Sequence, residues 1–142
     1  MALSVADRLR ILDAVTRADQ AATDRDPDAY VRLFTPDAVL DGAQGRHAGR
    51  EALRTAVGPV WAAEGAATMH LTLNPVIEDP DEDDAEIVVR SVLLIIDPGS
   101  PAAIRGAAPI TQILVQRNGL WLISRRTVGV AGPAPENPTP TD

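Results

Sequence analysis

The first part of the chain carries apolar residues at helical spacing. Between Ser4 and Thr23 one side of a helix collects Val5, Leu9, Leu12, Val15 and Ala22. Ser4 can cap this helix, because an acidic residue follows three positions later. A second, short helix is predicted over 27–34, behind an aspartate cap and a proline in its first turn. A third is predicted over 50–57, where Gly58-Pro59 interrupts it before a last turn carries Trp61.

After Gly65 the period of the pattern changes from helical to two, as expected of half-buried strands. Strands are predicted at 38–41, 68–74, 85–96, 104–117 and 120–128. Asn118-Gly119 between the last two is a strong signal for a two-residue hairpin, and the acidic run 79–84 predicts a solvated turn. This order indicates an α+β fold, with a curved antiparallel sheet packed on three N-terminal helices around a cone-like pocket.

Length and composition refine this picture. The chain has 142 residues, enough for one domain, which we place at 1–130. The proline-rich segment 131–142 has almost no apolar residues and is predicted to be a disordered tail. Aromatic residues make up only 3% of the chain, so the core is predicted to be aliphatic.

The charge balance argues against two classes of partner. The formal net charge is -7, and the chain contains no lysine. Nucleic acids need basic residues to neutralise their phosphates, and no basic patch for an anionic membrane is visible, so neither partner is expected. The absence of cysteine and of a recognisable signal peptide predicts a cytoplasmic protein.

Four short segments together resemble the landmarks of a known family. They are 33–39, 49–53, His70 with Asn74, and 118–121. In their order and spacing they look like SnoaL-like domains of the nuclear transport factor 2-like superfamily, over roughly residues 5–128. The resemblance implies the fold described above and a homodimer formed through the sheet. Relatives include polyketide cyclases, ketosteroid isomerase, scytalone dehydratase and hexachlorocyclohexane dehydrochlorinase, so the fold alone does not choose a reaction.

His70 is the best candidate for chemistry. The resemblance to the dehydratase and dehydrochlorinase branch implies a general base here, oriented by an aspartate near the end of the first helix. Histidine suits proton abstraction near neutral pH. Asp24 is one candidate for the orienting acid, and the alternative is a solvated acid at the helix end. Asp19 is the other candidate, because it projects into the apolar face of the first helix and needs a cation such as His70, Arg90 or Arg8, a hydrogen-bonding pocket or water. The alternative for Asp19 is a structural ion pair with an arginine.

Asp41 offers a second route to acid–base chemistry. It lies near the place of the general-base aspartate of ketosteroid isomerase, and the alternative is a loop carboxylate beside Gly42. Polar or bulky side chains within apolar segments are the candidate substrate-binding residues, and we name Asn74, Arg90, Gln112 and Trp61. Arg90 could instead be paired with an acid for structural reasons, and Trp61 could serve packing alone.

Metal and cofactor chemistry are not expected. The chain has only two histidines, His47 and His70, and no spacing typical of a metal site. It also has no phosphate-binding glycine loop and no nucleophile elbow. The sequence therefore predicts a pocket for a small, largely apolar molecule with a polar group. Its function is either that of a cofactor-free lyase or isomerase, or that of a non-catalytic binding or dimeric interaction domain.

Overall fold

The computed structural model of the chain describes residues 2–78, 80 and 85–129. Its helices are α1 (Val5–Thr23), α2 (Pro27–Arg32) and α3 (Arg50–Glu64). Its strands are β1 (Phe34–Gly42), β2 (Gly45–Ala48), β3 (Met69–Ile77), β4 (Glu86–Asp97), β5 (Ala103–Arg117) and β6 (Leu120–Val128). Most of the acidic turn predicted at 79–84 and the whole of the tail predicted at 131–142 lie outside the described residues. No helix in the described part of the chain is both long and apolar enough to cross a membrane.

The first two helices begin where the sequence predicts. The Ser4 side chain caps α1 by accepting a hydrogen bond from the backbone N–H of Asp7 at 3.0 Å. Asp26 caps α2 in the same way, through the backbone N–H of Ala29 at 3.0 Å. Helix α2 is shorter than predicted because Phe34 already belongs to β1 and lies fully buried there.

The predicted break of the third helix at Gly58-Pro59 is wrong. It continues through both residues and ends at Glu64. The buried residues of α3 are Leu53, Val57 and Trp61, spaced four apart on one face. Because this face packs into the core on both sides of the proline, tertiary packing offsets the hydrogen bond that proline cannot make.

The six strands form one sheet in the order β2-β1-β6-β5-β4-β3. The α+β class and the packing of helices on a sheet are confirmed. The sheet is mixed, however, because β1 pairs with β6 in parallel while every other pair is antiparallel. A parallel pair needs a long connection, and here α3 and the β3–β5 meander supply it.

Irregularities in strand pairing allow the sheet to curve around the cavity on its inner face. The strand registers shift between Leu73 and Val76 in β3 and between Ile113 and Leu114 in β5, where β6 carries the extra residue Ser124. Such bulges bend strands and exchange the faces that their side chains occupy. Helix α1 packs against β3 and β6, and α3 packs against β1 and β2. The two edge strands β2 and β3 therefore end up around one cavity.

The core is largely aliphatic, as the composition predicts, but an aromatic cluster occupies one part of it. The Tyr30 ring lies 4.8 Å from that of Phe34 and 5.3 Å, edge to face, from that of Trp61. All three side chains are buried. Edge-to-face and tilted pairs are the favoured aromatic arrangements, so this cluster joins α2, β1 and α3 at the base of the cavity.

Candidate functional site

A cavity of about 240 Å³ lies between the helices and the inner face of the sheet. Small-molecule sites generally measure about 300–1,000 Å³, so this one fits a small ligand. Its walls are mainly apolar, with Leu40, Val57, Leu93 and Ile95 among them. The polar side chains in the wall are those of Tyr30, Gln44, His47, Glu64, His70 and Arg126.

His70 and Glu64 form a close pair in this wall. The Nε2 atom of His70 lies 2.6 Å from Glu64 Oε2, and the two side chains are 6% and 16% exposed. Because a carboxylate only accepts hydrogen bonds, a neutral His70 ring in this contact has its proton on Nε2 and its lone pair on Nδ1. Within residues 2–78, 80 and 85–129, no side chain or backbone group is hydrogen-bonded to Nδ1. The pair thus has the geometry of a histidine base oriented by a carboxylate.

Local structure places both partners. The backbone N–H of His70 donates to Thr23 Oγ1 at 2.9 Å, which anchors the start of β3 to the end of α1. Glu64 follows Val57 and Trp61 at positions that share one face of α3. Sequence reasoning missed Glu64 because it ended the regular helix at Gly58-Pro59. An acid that continues a buried helical face was the signal that could have found it.

Neither of the aspartates considered as partners of His70 contacts it. Asp24 is exposed just after α1 and lines a separate surface groove between α1 and α2. Asp19 is only 3% exposed, and its Oδ1 accepts a hydrogen bond from Arg126 Nη2 at 3.3 Å. Arg126, rather than any of the cations considered from the sequence, is therefore the counterion of Asp19.

A buried polar cluster surrounds this ion pair. Arg126 Nη1 donates to Gln112 Oε1 at 3.4 Å, and the Arg126 guanidinium lies 5.9 Å from the centre of the Tyr30 ring. Gln112 is fully buried behind Arg126, and it is Arg126 that reaches the cavity wall. Asp19 Oδ2 and Gln112 Nε2 have no hydrogen-bond partner among the described residues. The cluster places a cationic donor at the cavity floor.

The other predicted site residues, apart from Trp61 in the cavity wall, lie elsewhere. Asp41 points away from the cavity, since its neighbours Leu40 and Gly42 line it, and Asp41 Oδ2 pairs with Arg125 Nη2 at 2.7 Å. Arg90 lies within the apolar strand β4, but its side chain is 70% exposed and paired with Glu78 outside the cavity, which is the structural alternative to its predicted substrate-binding role.

Asn74 is also outside the cavity. It is exposed, and its φ of 52° falls in the left-handed region, at the irregularity between Leu73 and Val76. Asparagine tolerates that conformation better than most residues. The structure thus accounts for Asn74 by the backbone bend rather than by a contact with a bound molecule.

The titration of Tyr30 tests whether its side chain is buried in the cavity wall. The signal is unambiguous because Tyr30 is the only tyrosine in the chain. Burial raises the pKa of its phenol, the charge of Arg126 lowers it, and the charge of Asp19 raises it. We expect the ultraviolet absorbance of tyrosinate to develop only above the ordinary pKa of 10.0 in the native protein. The protein unfolded in guanidinium chloride should titrate near 10.

The sign of the pH effect follows from that direction. Since folding favours the neutral phenol, Tyr30 contributes stability that is fully present below the unfolded pKa and is lost as pH rises through the folded pKa. A native titration at or below that of the unfolded chain would show that Tyr30 is hydrated rather than buried.

The sequence and the fold identify the family of this protein. The family model of the SnoaL-like domain matches residues 3–127, and the chain belongs to this family. The fold is that of the nuclear transport factor 2-like proteins. Among curated proteins, no sequence is significantly similar to the chain.

Solved structures show the same fold at low sequence identity. A protein of unknown function with a cystatin-like fold from Nostoc punctiforme is 23% identical, with a TM-score of 0.82 over 95% of this chain and 98% of that one. An NTF2-like protein from Novosphingobium aromaticivorans is 17% identical, with a TM-score of 0.77 over 92% and 86%. A Catenulispora acidiphila protein in complex with S-DNPA is 19% identical, with a TM-score of 0.73 over 89% and 94%. The fold and the cavity together support a protein with a small-molecule pocket.

Proposed function

We propose that this protein is a cofactor-independent lyase or isomerase in which His70 is the general base. The observation that carries the proposal is the 2.6 Å contact between His70 Nε2 and Glu64 Oε2 in the wall of an apolar cavity. A base in such a place removes a proton from carbon, and the electron pair then forms a double bond by elimination or by migration. The cavity volume indicates a small, mainly apolar substrate.

Arg126 is the residue that binds the polar group of the substrate. Its guanidinium is a donor at the cavity floor, fixed by Asp19 and Gln112. Negative charge that develops on a carbonyl or leaving oxygen is stabilised by preorganised donors of this kind. Within residues 2–78, 80 and 85–129, no group of three or more histidines or acids could hold a metal ion, and the proposal assigns no cofactor.

A non-catalytic binding module is the alternative, and the complex of the Catenulispora acidiphila relative with S-DNPA supports a bound molecule in either case. The orienting carboxylate favours catalysis, because binding alone does not require a histidine held by a half-buried acid. The cytoplasm remains the predicted location.

Proton abstraction from 5-nitrobenzisoxazole tests the proposed function. A base removes the proton on carbon 3, the carbon–nitrogen double bond becomes a nitrile, the N–O bond breaks, and the oxygen leaves as a coloured phenolate. We expect the protein to accelerate this reaction, with saturation that reports binding in the cavity, and to lose the acceleration in His70→Gln. Saturable binding without acceleration would support the binding module instead.

We also propose that the protein is a homodimer that pairs through the outer face of the sheet. Three cross-strand rows of mainly apolar residues cover β3, β4 and β5 there, and they are Met69-Ile96-Ile104, Leu71-Leu94-Ala107 and Leu73-Val92-Pro109. Met69, Leu73, Val92 and Ile104 are exposed, so this outer apolar patch is open in the single chain. Contiguous apolar surface of this kind marks interaction sites in soluble proteins.

Val92→Glu is expected to convert the dimer to a monomer, because it places a charge at the centre of the patch. Light scattering during size-exclusion chromatography gives the mass directly. Leu120→Glu is the matched control, since Leu120 is also apolar and exposed, at 63% against 38% for Val92, but lies at the β5–β6 hairpin, away from the patch. Wild-type protein with the mass of one chain, or an unchanged mass in Val92→Glu, would contradict this interface.

A further inference from the structure

The second histidine of the chain lies in the same cavity as the first. His47 is on β2 and His70 is on β3, and these strands form the two opposite edges of the sheet. Because the sheet wraps around the cavity, its two edges present one histidine each to the same space. No single stretch of sequence brings them together, and from the sequence alone His47 was named only in arguing against a metal site.

His47 points inward for a structural reason. It pairs in register with Leu40 of β1, and directly opposed residues share one face of a sheet. Both residues line the cavity. Their neighbours Arg46 and Asp41 therefore project to the other face, where Asp41 meets Arg125.

The ring of His47 has a nitrogen with no structural task. Its Nε2 is shielded from solvent and has no hydrogen-bond partner among the described residues. A shielded polar atom without a partner destabilises the protein, and a bound molecule can supply the missing partner. His70 differs in this respect, since its Nε2 is occupied by Glu64.

We propose that His47 is the general acid of this site. The proposal rests on the function assigned to His70 and extends it to the leaving group. His70 Nδ1 takes a proton from carbon, and the electron pair of that C–H bond forms the new double bond. The bond between the adjacent carbon and its oxygen breaks, the oxygen keeps that electron pair, and His47 Nε2 gives it a proton. Solvent then removes the proton from His70 and reprotonates His47.

A base at His70 and an acid at His47 together define a substrate class. The substrate carries an acidic C–H next to a carbon that bears a poor leaving group, such as a hydroxyl or an ether oxygen. Proton donation matters most for such groups, because an oxygen leaves slowly as a basic anion. The two edges of the sheet then hold the two ends of the eliminated fragment, one the proton and the other the oxygen.

Two substrates that differ only in leaving group test the acid role. Unsubstituted benzisoxazole releases a more basic phenolate than 5-nitrobenzisoxazole and so depends more on an acid. We expect His47→Gln to lower kcat/KM for the unsubstituted substrate at least about tenfold more than for the nitro compound. Arg46→Gln, a neighbour on the other face of the strand, should change neither rate. Equal losses for the two substrates, or no loss, would overturn the acid role.

Nuclear magnetic resonance separates failure of this inference from failure of the proposed function. The chain has two histidines, so His47→Gln and His70→Gln assign both ring signals. Addition of 2-cyano-4-nitrophenol, the product of the nitro substrate, is expected to shift the His47 ring nitrogen signal in both wild-type protein and His70→Gln. If wild type reacts no faster than His70→Gln, the base assignment fails. A His47 signal that stays unchanged at saturating phenol overturns the present inference, whether or not the base assignment stands.

Discussion

Replacing Arg126 with methionine is expected to destabilise the fold by about 3–5 kcal/mol. Arg126 and Asp19 are each 3% exposed, and their contact joins β6 to α1 across the core. Methionine keeps much of the side-chain volume but leaves the Asp19 carboxylate buried without its cation. Unfolding in guanidinium chloride, followed by tryptophan fluorescence, measures the loss, which is a large part of the 5–15 kcal/mol that a domain generally has.

The adjacent arginine provides a matched control. Arg125 forms a closer pair with Asp41, at 2.7 Å against 3.3 Å for Arg126 and Asp19, but its two side chains are 41% and 27% exposed. Water screens such a pair, so Arg125→Met is expected to cost no more than about 1 kcal/mol. The double variant Asp19→Leu with Arg126→Met should recover much of the stability, because two apolar residues replace the pair without leaving a charge. Equal losses in Arg125→Met and Arg126→Met, or no recovery in the double variant, would show that the buried pair is not the cause.

These two arginines also show where sequence patterns stop being informative. Simple alternation from the buried Ile123 would place Arg125 on the inner face and Arg126 on the outer one. The extra residue Ser124 in β6 exchanges them. A bulge of this kind depends on pairing with β5 and leaves little trace in the spacing of apolar residues, so the counterion of Asp19 could not be found from the sequence.

The fold was predictable because each element carries its own signal. The N-terminal cap of α1, the Asn118-Gly119 hairpin and the alternation in β3 were all recognisable, and both turn residues have the positive φ that such a hairpin requires. The parallel pairing of β1 with β6 was not, since it joins segments far apart in the chain. The burial of Asp19 was also foreseen, because its position on the apolar face of α1 is a local property.

The contact between His70 and Glu64 could not be predicted from the sequence for a different reason. Thr23 does reach His70, through its hydroxyl and the His70 backbone N–H. Asp24 is the next residue, and one step along a helix turns a side chain by about 100°. It therefore faces the surface groove, while Glu64 approaches from α3. The sequence therefore placed the carboxylate nearest His70 on α1 rather than on α3, because Asp24 lies one residue beyond the side chain that reaches His70 and because the expected helix break at Gly58-Pro59 hid Glu64.

His70→Gln is expected to reduce the rate of proton abstraction from 5-nitrobenzisoxazole by about 10²–10⁴-fold, the range typical of a lost general base. Glutamine is close to histidine in size and can still donate to Glu64, so the cavity should keep its shape and the KM should change little. An interaction made only in the transition state lowers kcat in this way without weakening binding. A loss confined to KM would mean that His70 contacts the substrate but does not accept its proton.

Substitution of Glu64 and of Asp24 shows which carboxylate orients His70. Glu64→Gln keeps an oxygen near His70 Nε2 but removes the charge that stabilises the protonated ring, so kcat should fall by at least about tenfold. Asp24→Asn makes the same change of carboxylate to amide outside the cavity and is expected to retain the wild-type rate. Should Asp24→Asn be the slower of the two, the orienting acid would belong to α1, and the contact between His70 and Glu64 would be structural. The predicted order, with His70→Gln slowest, Glu64→Gln intermediate and Asp24→Asn unchanged, follows from the proposed roles: His70 accepts the proton, Glu64 stabilises the protonated ring, and Asp24 lies outside the cavity.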